Sequence, residues 1–301
     1  MTFSRMRQTN DSSCLVLRND SPDVGAVVAS RARDEPGAGN IDLAVARPAA
    51  LDDLFGDHAG QGAIDQLMPL LTAGMPEYDH VVMHVNRARA IQTLNDGTSL
   101  SCDPTMLWTP ERARTIVFSI PAFVLYSSGL VVFKDDMAKI EPFVSQGKVD
   151  LDALMASNTV KLGAVAERSY GGVIDKTLQD SHEQTLSLHY GSDAVGSLLQ
   201  MVQAGRLQGL LGFWFEARYQ ALQQGISPQE LIFLPIVENP VYQLAYIGCS
   251  NTPEGRQAMQ LINREMRTLR ESSLMGLYAQ WLAPEQRGDY LRDVKAIFDK
   301  K

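Results

Sequence analysis

The alternation of strand-like and helix-like segments constrains the fold of this chain more than any other feature of its sequence. Residues 41–46 alternate between apolar and polar side chains like a half-buried strand, and the apolar residues of 64–71 recur at helical spacing. The same order returns in 160–165, a strand pattern, and 170–178, a helix pattern. This order is typical of α/β folds, so it predicts parallel sheets with helices on both faces. Pro69 lies inside the first helix pattern and predicts a kink or an early break there.

Size and charge limit the class of protein. A chain of 301 residues with 45% hydrophobic residues is long enough for about two domains with packed cores. The formal net charge of −8 argues against a nucleic-acid-binding surface. No run approaches the roughly 18 apolar residues that span a bilayer. Residues 1–40 show no sustained periodicity, and we expect a flexible leader there, in which no signal peptide is visible.

Motifs for covalent, phosphoryl-transfer or metal chemistry are absent from the sequence. It contains no Gly-x-Ser-x-Gly elbow, no Walker loop and no His-Glu-x-x-His. His80 and His84 are four residues apart, but residues 81–83 between them are typical of a strand, where this spacing does not converge on a metal. We therefore expect no catalytic residue, no metal site and no cofactor. Three cysteines allow one disulfide with one thiol left over, or three free thiols.

Several short motifs are more specific than the periodicity. In the first half they are Asn95-Asp-Gly97, Cys102-Asp-Pro-Thr105, Trp108-Thr-Pro-Glu-Arg112 and Phe118-Ser-Ile-Pro121. Residues 161–165, which lead to 170–171, and the Gly-Arg turn at 205–206 continue the pattern. Over residues 41–299 the chain resembles the type II periplasmic solute-binding proteins, in the amino-acid-binding branch known as solute-binding family 3. It is similar to an uncharacterised subgroup in which Gly-Arg leads into a Gly-x-x-x-Glu segment, here 212–216.

This resemblance implies two Rossmann-like lobes joined by two hinge strands. Lobe one would comprise 41–133 and 241–301, and lobe two 137–236, with a small polar ligand enclosed between them as the lobes close. The family also implies a periplasmic monomer whose partner is an ABC permease or a membrane sensor. Cys102 and Cys249 would then both lie on strands of lobe one, where an oxidising compartment permits a disulfide between them.

In lobe one, the resemblance assigns ligand contacts to the turn that ends at Arg112. The family's arginine at this turn holds a ligand carboxylate, and a planar guanidinium fork suits that task; the alternative is a surface pair with Glu111 or Asp103. Thr105 is expected on the loop after the Cys102 strand, where it either holds polar ligand groups or only shapes the turn. Trp108 either forms a flat wall for the ligand or packs in the core.

In lobe two, Ser169 and Tyr170 precede a helix and match the position where the family binds the ligand carboxylate. Arg168 departs from the family, which has a small residue there. Phe213 occupies by spacing the place of the acidic residue that pairs with an α-ammonium group, and Glu216 follows one helical turn later as a substitute. Phe213 would line an apolar part of the pocket or pack in the core. These departures argue against a simple α-amino acid as the ligand.

Three rival functions remain open. The lobes could serve a sensor rather than a transporter. They could form a periplasmic dehydratase-like enzyme, with Glu216 as the general acid. The chain could also be a degenerate member that binds no solute and acts as an interaction protein. The altered segment 47–50, which replaces the family's aromatic loop, and Phe213 support this last alternative. Arg87 and Arg89 are expected to form surface salt bridges.

Overall fold

The computed structural model describes residues 26–32, 45–46, 62–191 and 193–300, and the part before residue 127 contributes to one large sheet. Its elements in chain order are β1 (Ala26–Ala32), β2 (Val45–Ala46), α1 (Ala63–Ala73), β3 (Tyr78–Val85), α2 (Arg87–Asp96), β4 (Ser101–Leu107) and β5 (Ile116–Tyr126).

The middle of the chain builds a second sheet. Its elements are β6 (Gly129–Phe133), α3 (Met137–Ile140), β7 (Val144–Ser145), β8 (Lys148–Val149), α4 (Leu151–Ala156), β9 (Leu162–Val165), α5 (Gly172–Gln179), β10 (Leu186–His189), α6 (Ala194–Gln203), β11 (Gly209–Gly212), α7 (Trp214–Gln223) and β12 (Leu231–Pro235). The chain then returns to the first sheet with β13 (Tyr242–Ser250), followed by α8 (Pro253–Ser272), α9 (Leu274–Ala279) and α10 (Pro284–Phe298).

The first sheet is mixed rather than parallel. Its strand order is β2-β3-β1-β4-β13-β5, and only the β2–β3 pairing is parallel within the described strands. The prediction of parallel pairing is wrong for this sheet because β1 and β13 each run antiparallel to both of their neighbours, β1 between β3 and β4 and β13 between β4 and β5. We call this sheet with α1, α2 and α8–α10 lobe one.

The second sheet, with α3–α7, forms lobe two. Its order is β10-β9-β11-β6-β12, and β9, β10 and β11 pair in parallel as the alternating pattern predicts. Strand β6 pairs with β11 and β12 and therefore belongs to lobe two, although the sequence analysis assigned 129–133 to lobe one. The chain crosses between the sheets twice, after β5 and after β12, so lobe one is discontinuous in sequence.

Helix starts follow local capping chemistry. The Thr252 side chain accepts the N–H of Gly255, and Pro253 occupies the first turn of α8. The Asp193 side chain caps α6 by accepting the N–H of Gly196. Of the kink or early break predicted at Pro69, the early break does not occur, because α1 continues to Ala73 and buries its apolar stripe in the core of lobe one.

A disulfide ties together the two chain segments of lobe one. Cys102 on β4 and Cys249 on β13 are direct partners across the antiparallel pairing, and their sulfur atoms are bonded. Both residues are buried in the apolar core of lobe one. The bond therefore fixes the strand that returns from lobe two to the strand that carries Asp103 and Thr105.

One part of the predicted leader belongs to the fold. Residues 26–32 form β1, which pairs with β3 and β4, so the prediction of a flexible leader over 1–40 is wrong for this segment. The rest of 1–40 lies outside the described residues, as do Cys14 and the segment 47–50. Among the described helices, none is both long and apolar enough to cross a bilayer.

Candidate functional site

Arg112 reaches from lobe one to lobe two. The Thr109 hydroxyl oxygen accepts the Arg112 backbone N–H at 3.1 Å and so fixes the turn that presents the side chain. Arg112 Nη1 donates to the Leu107 carbonyl at 3.1 Å, and Nη2 donates to the Glu167 carbonyl at 2.8 Å. In the described part of the chain, Arg112 forms no ion pair with a carboxylate. Among the described residues, its guanidinium thus donates to two neutral backbone carbonyls, one in each lobe.

Opposing effects act on the charge of Arg112. Burial lowers the pKa of Arg112 to about 10, and the nearby positive charge of Arg87 acts in the same direction, while the carboxylates of Asp103, Asp175 and Glu167 act against both. The guanidinium remains cationic at neutral pH. An anion placed against it would form charge-assisted hydrogen bonds that are stronger than those to the two carbonyls.

Arg87 forms a buried network with two residues of β4. It begins α2, directly after the N-cap Asn86, and its Nη1 pairs with Asp103 Oδ2. Its Nη2 lies 3.2 Å from Thr105 Oγ1, and Thr105 contacts Asp103 Oδ1 through both its N–H and its hydroxyl. Thr105 lies on strand β4, not on the predicted loop after it.

Arg168 and Glu216 form a buried bidentate pair in lobe two. Arg168 Nη1 and Nη2 donate to the two carboxylate oxygens of Glu216, each at 2.9 Å. The Arg168 side chain is 7% exposed and that of Glu216 only 1%. Arg168 also lies about 6 Å from the ring centroids of Tyr170 and Phe213. Glu216 therefore binds Arg168 through both carboxylate oxygens, whereas the sequence analysis assigned Glu216 to the ligand.

The loop after β9 is fixed by Asp175, the second acidic group of lobe two near the cleft. The Ser169 hydroxyl donates to Asp175 Oδ2, and the Tyr170 backbone N–H donates to Oδ1 at 2.7 Å. The Tyr170 hydroxyl turns inward and accepts the Val165 N–H at 2.7 Å. Burial raises the pKa of Tyr170 to about 12, and the ring packs in the core of lobe two.

A small cavity between the lobes is lined by three arginines: Arg87 and Arg112 from lobe one and Arg168 from lobe two. Hydroxyl-bearing Thr105 and Ser169 complete its polar wall. The apolar wall comprises Leu107, Leu125 and Phe213. The cavity volume is about 20 Å³, room for one water-sized molecule in this closed arrangement.

The predicted site residues divide into two groups. Arg112, Thr105, Ser169 and Phe213 line the same cavity, although they come from distant parts of the sequence. The other three do not line it. Tyr170 and Glu216 lie buried behind it, and Trp108 is 51% exposed and is neither a wall of this cavity nor a core residue.

Aromatic side chains carry the lobe contact beside the cavity. The Phe213 and Phe215 rings stack with centroids 5.3 Å apart, and Phe215 meets the Tyr278 ring of α9 edge-on at 5.3 Å. Phe213 and Phe215 thereby join the apolar core of lobe one, although α7 belongs to lobe two. This contact buries apolar surface between the two lobes.

Arg87 is the site residue that the sequence analysis missed. It is buried and lines the cavity, whereas a surface salt bridge was expected. The signal was present, because Arg87 follows an Asn N-cap and so begins a helix directly before the strand that carries Asp103. Arg87 forms its ion pair with Asp103 in the interior rather than at the surface. Arg89 is exposed, contacts Gln92 and forms no ion pair within the described residues.

Comparison with known proteins extends the picture of the fold. No protein-family model matches the sequence, and no curated protein matches it. A histidine kinase sensor domain with similarity to periplasmic binding proteins superposes with a TM-score of 0.59 at 15% identity, over 81% of this chain and 96% of that chain. An ancestral arginine-binding protein bound to glutamine gives 0.57 at 14% identity, over 79% of this chain and 96% of that one.

The fold is that of the type II periplasmic binding proteins. A third structure with this fold is an ancestral amino-acid-binding protein, a precursor of cyclohexadienyl dehydratase, with a TM-score of 0.56 at 14% identity over 80% of this chain and 94% of that chain. At such identities the likeness establishes the architecture alone. The ligand must be inferred from the residues of this cleft.

Proposed function

We propose that this protein is a two-lobed solute-binding protein that captures a small polar, carboxylate-bearing ligand between its lobes. The observation that carries this proposal is the position of Arg112, a half-buried cation that crosses the cleft without a carboxylate ion-pair partner among the described residues. A ligand carboxylate would take the place of the Glu167 carbonyl and bind the guanidinium as a bidentate pair. Thr105 and Ser169 also line the cavity, and their hydroxyls would turn from Asp103 and Asp175 to donate to the ligand carboxylate.

We assign the protein to an extracytoplasmic compartment, the periplasm. The buried disulfide between Cys102 and Cys249 supports this assignment, because such bonds persist in oxidising compartments. The structures with the same fold include a sensor domain and amino-acid-binding proteins, which supports a membrane sensor or an ABC permease as the partner of the closed form.

Capture without chemistry fits the cleft better than an enzyme of the dehydratase type. In such an enzyme Glu216 would have to donate a proton to the substrate. Both of its oxygens instead accept hydrogen bonds from Arg168, and Glu216 does not line the cavity. Any substrate would therefore be separated from this carboxylate.

A non-binding interaction protein is the second candidate. Two observations favour it: the cavity has room for only one water-sized molecule, and Phe215 packs against Tyr278 across the lobes. If the aromatic contact keeps the lobes together permanently, no ligand enters and the closed surface itself is the functional element.

A thermal unfolding screen against small carboxylic acids and amino acids separates the two candidates. A ligand present at 100 times its dissociation constant stabilises the folded state by about 2.7 kcal/mol, which is a shift of several degrees for a chain of this size. We expect at least one small acid to produce such a shift. A flat profile for a folded protein would refute solute capture and favour the interaction protein.

A further inference from the structure

If the proposed function is correct, the chemical class of the ligand follows from where the acidic groups around the cleft lie and which donors they already bind. A ligand with an ammonium group needs an acceptor, and in a buried site that acceptor is a carboxylate. No residue that lines the cavity is acidic. Glu167 has an exposed side chain that does not line the cavity, and its charge stabilises that of Arg112. Three further carboxylates lie directly behind the lining residues: Asp103, Asp175 and Glu216.

All the oxygens of these carboxylates already accept hydrogen bonds from the protein. Both Glu216 oxygens bind Arg168. Asp103 Oδ2 binds Arg87, and its Oδ1 binds Thr105. The two Asp175 oxygens bind the Ser169 hydroxyl and the next backbone N–H. None of these carboxylates lines the cavity, so an ammonium group placed there would not reach their oxygens unless these internal contacts rearranged.

The cations around the cavity reinforce this exclusion. Arg87 and Arg168 reach its surface as partners of Asp103 and Glu216, whereas Arg112 reaches it without an ion pair among the described residues. An ammonium group would therefore meet the positive charge of Arg112 at close range. Phe213 adds an apolar wall that offers no acceptor. Entry of an ammonium group would thus leave its charge unpaired in the cavity, which is unfavourable, whereas a carboxylate would meet Arg112 directly.

We propose that the ligand is a small carboxylate that carries no ammonium group, with a short apolar or hydroxylated body. The guanidinium of Arg112 binds the carboxylate, and Leu107, Leu125 and Phe213 contact the body. Because the cavity has room for only one water-sized molecule, even the smallest such acid requires the lobes to lie farther apart than in the arrangement seen here.

Calorimetric titration of the full chain with propionate, lactate and alanine tests this inference. These three acids differ at one substituent of the second carbon atom: hydrogen, hydroxyl or ammonium. Acetate and glycine form a smaller matched pair. We expect propionate or lactate to bind at least about a hundredfold more tightly than alanine, since the ammonium group has no acceptor.

The possible failures are distinct. Alanine or glycine binding as tightly as its matched acid would overturn the inference but leave solute capture intact. Binding of neither class would refute solute capture and this inference with it. A second readout is competition: an excess of alanine is expected to leave the heat of lactate or propionate binding unchanged, and displacement by alanine would also overturn the inference.

Discussion

The buried pair of Arg168 and Glu216 offers a quantitative test of the electrostatics of the cleft. Replacing Arg168 with Met would leave a carboxylate that is 1% exposed without its two 2.9 Å donors. Breaking a buried pair from one side costs about 3–5 kcal/mol. At roughly 2 °C per kcal/mol for a chain of this size, the unfolding midpoint should fall by about 6–10 °C.

The double variant Arg168→Met/Glu216→Leu distinguishes a lost pair from lost packing. When both charges are replaced by apolar groups of similar volume, the penalty for an unpaired charge disappears, so the double variant should be more stable than Arg168→Met alone. Urea denaturation of wild type, both single variants and the double variant gives the coupling energy directly. Arg206→Met, at an exposed arginine of the same lobe, is the matched control, with an expected change within about 0.5 kcal/mol.

Two outcomes would refute this reasoning. One is a cost below about 1 kcal/mol for Arg168→Met, since that magnitude is typical of exposed pairs. The other is additivity of the two single changes, because residues that share a buried charge pair are expected to be strongly coupled.

Three further perturbations test the packing and the buried groups. Removing the disulfide between Cys102 and Cys249 should lower the free energy of unfolding by up to about 5 kcal/mol, because the bond closes a loop with a sequence separation of 147 residues. Urea denaturation with and without reductant measures this loss, and an unchanged midpoint would contradict it. Phe215→Ala should lower the free energy of unfolding by about 3–5 kcal/mol, because it removes the aromatic contact between the lobes. Leu222→Ala, at a 60% exposed position of the same helix, should change that free energy by less than about 0.5 kcal/mol. Equal effects of the two changes would argue against the contact. Burial raises the pKa of Tyr170 from 10.0 to about 12. The stability that the neutral hydroxyl contributes is therefore present below pH 10 and is lost as the pH rises from 10 towards 12. An alkaline titration that follows tyrosinate absorbance and unfolding together should show this loss, and a parallel loss of stability in wild type and Tyr170→Phe would contradict the prediction.

The architecture was largely predictable from the sequence, because alternating patterns and short motifs are local signals. The strand at 162–165 follows from such a pattern, and the two-lobed fold follows from the family resemblance that the motifs carry. Strand directions in lobe one did not, since they depend on how β5 leaves and β13 returns, which is a long-range property. Residues 26–32 were missed because their pairing with β3 outweighs their weak local pattern.

The site was predictable only in part. The motif residues Arg112, Thr105 and Ser169 line one cavity, as the family resemblance implied for a ligand site. Sequence spacing does not reveal which acidic groups already bind a donor within the protein. The partners Arg168 and Glu216 are 48 residues apart, and their pairing depends on the packing of α7 against the loop after β9.

Binding by matched arginine variants tests solute capture at Arg112 most directly. Arg112 and Arg114 lie at the two ends of one short 3-10 turn, but only Arg112 lines the cavity, and Arg114 is exposed. For the acid with the largest thermal shift, calorimetry should give an affinity at least about thirtyfold weaker in Arg112→Ala and unchanged within about twofold in Arg114→Ala. Equal affinities in the two variants would contradict capture by Arg112.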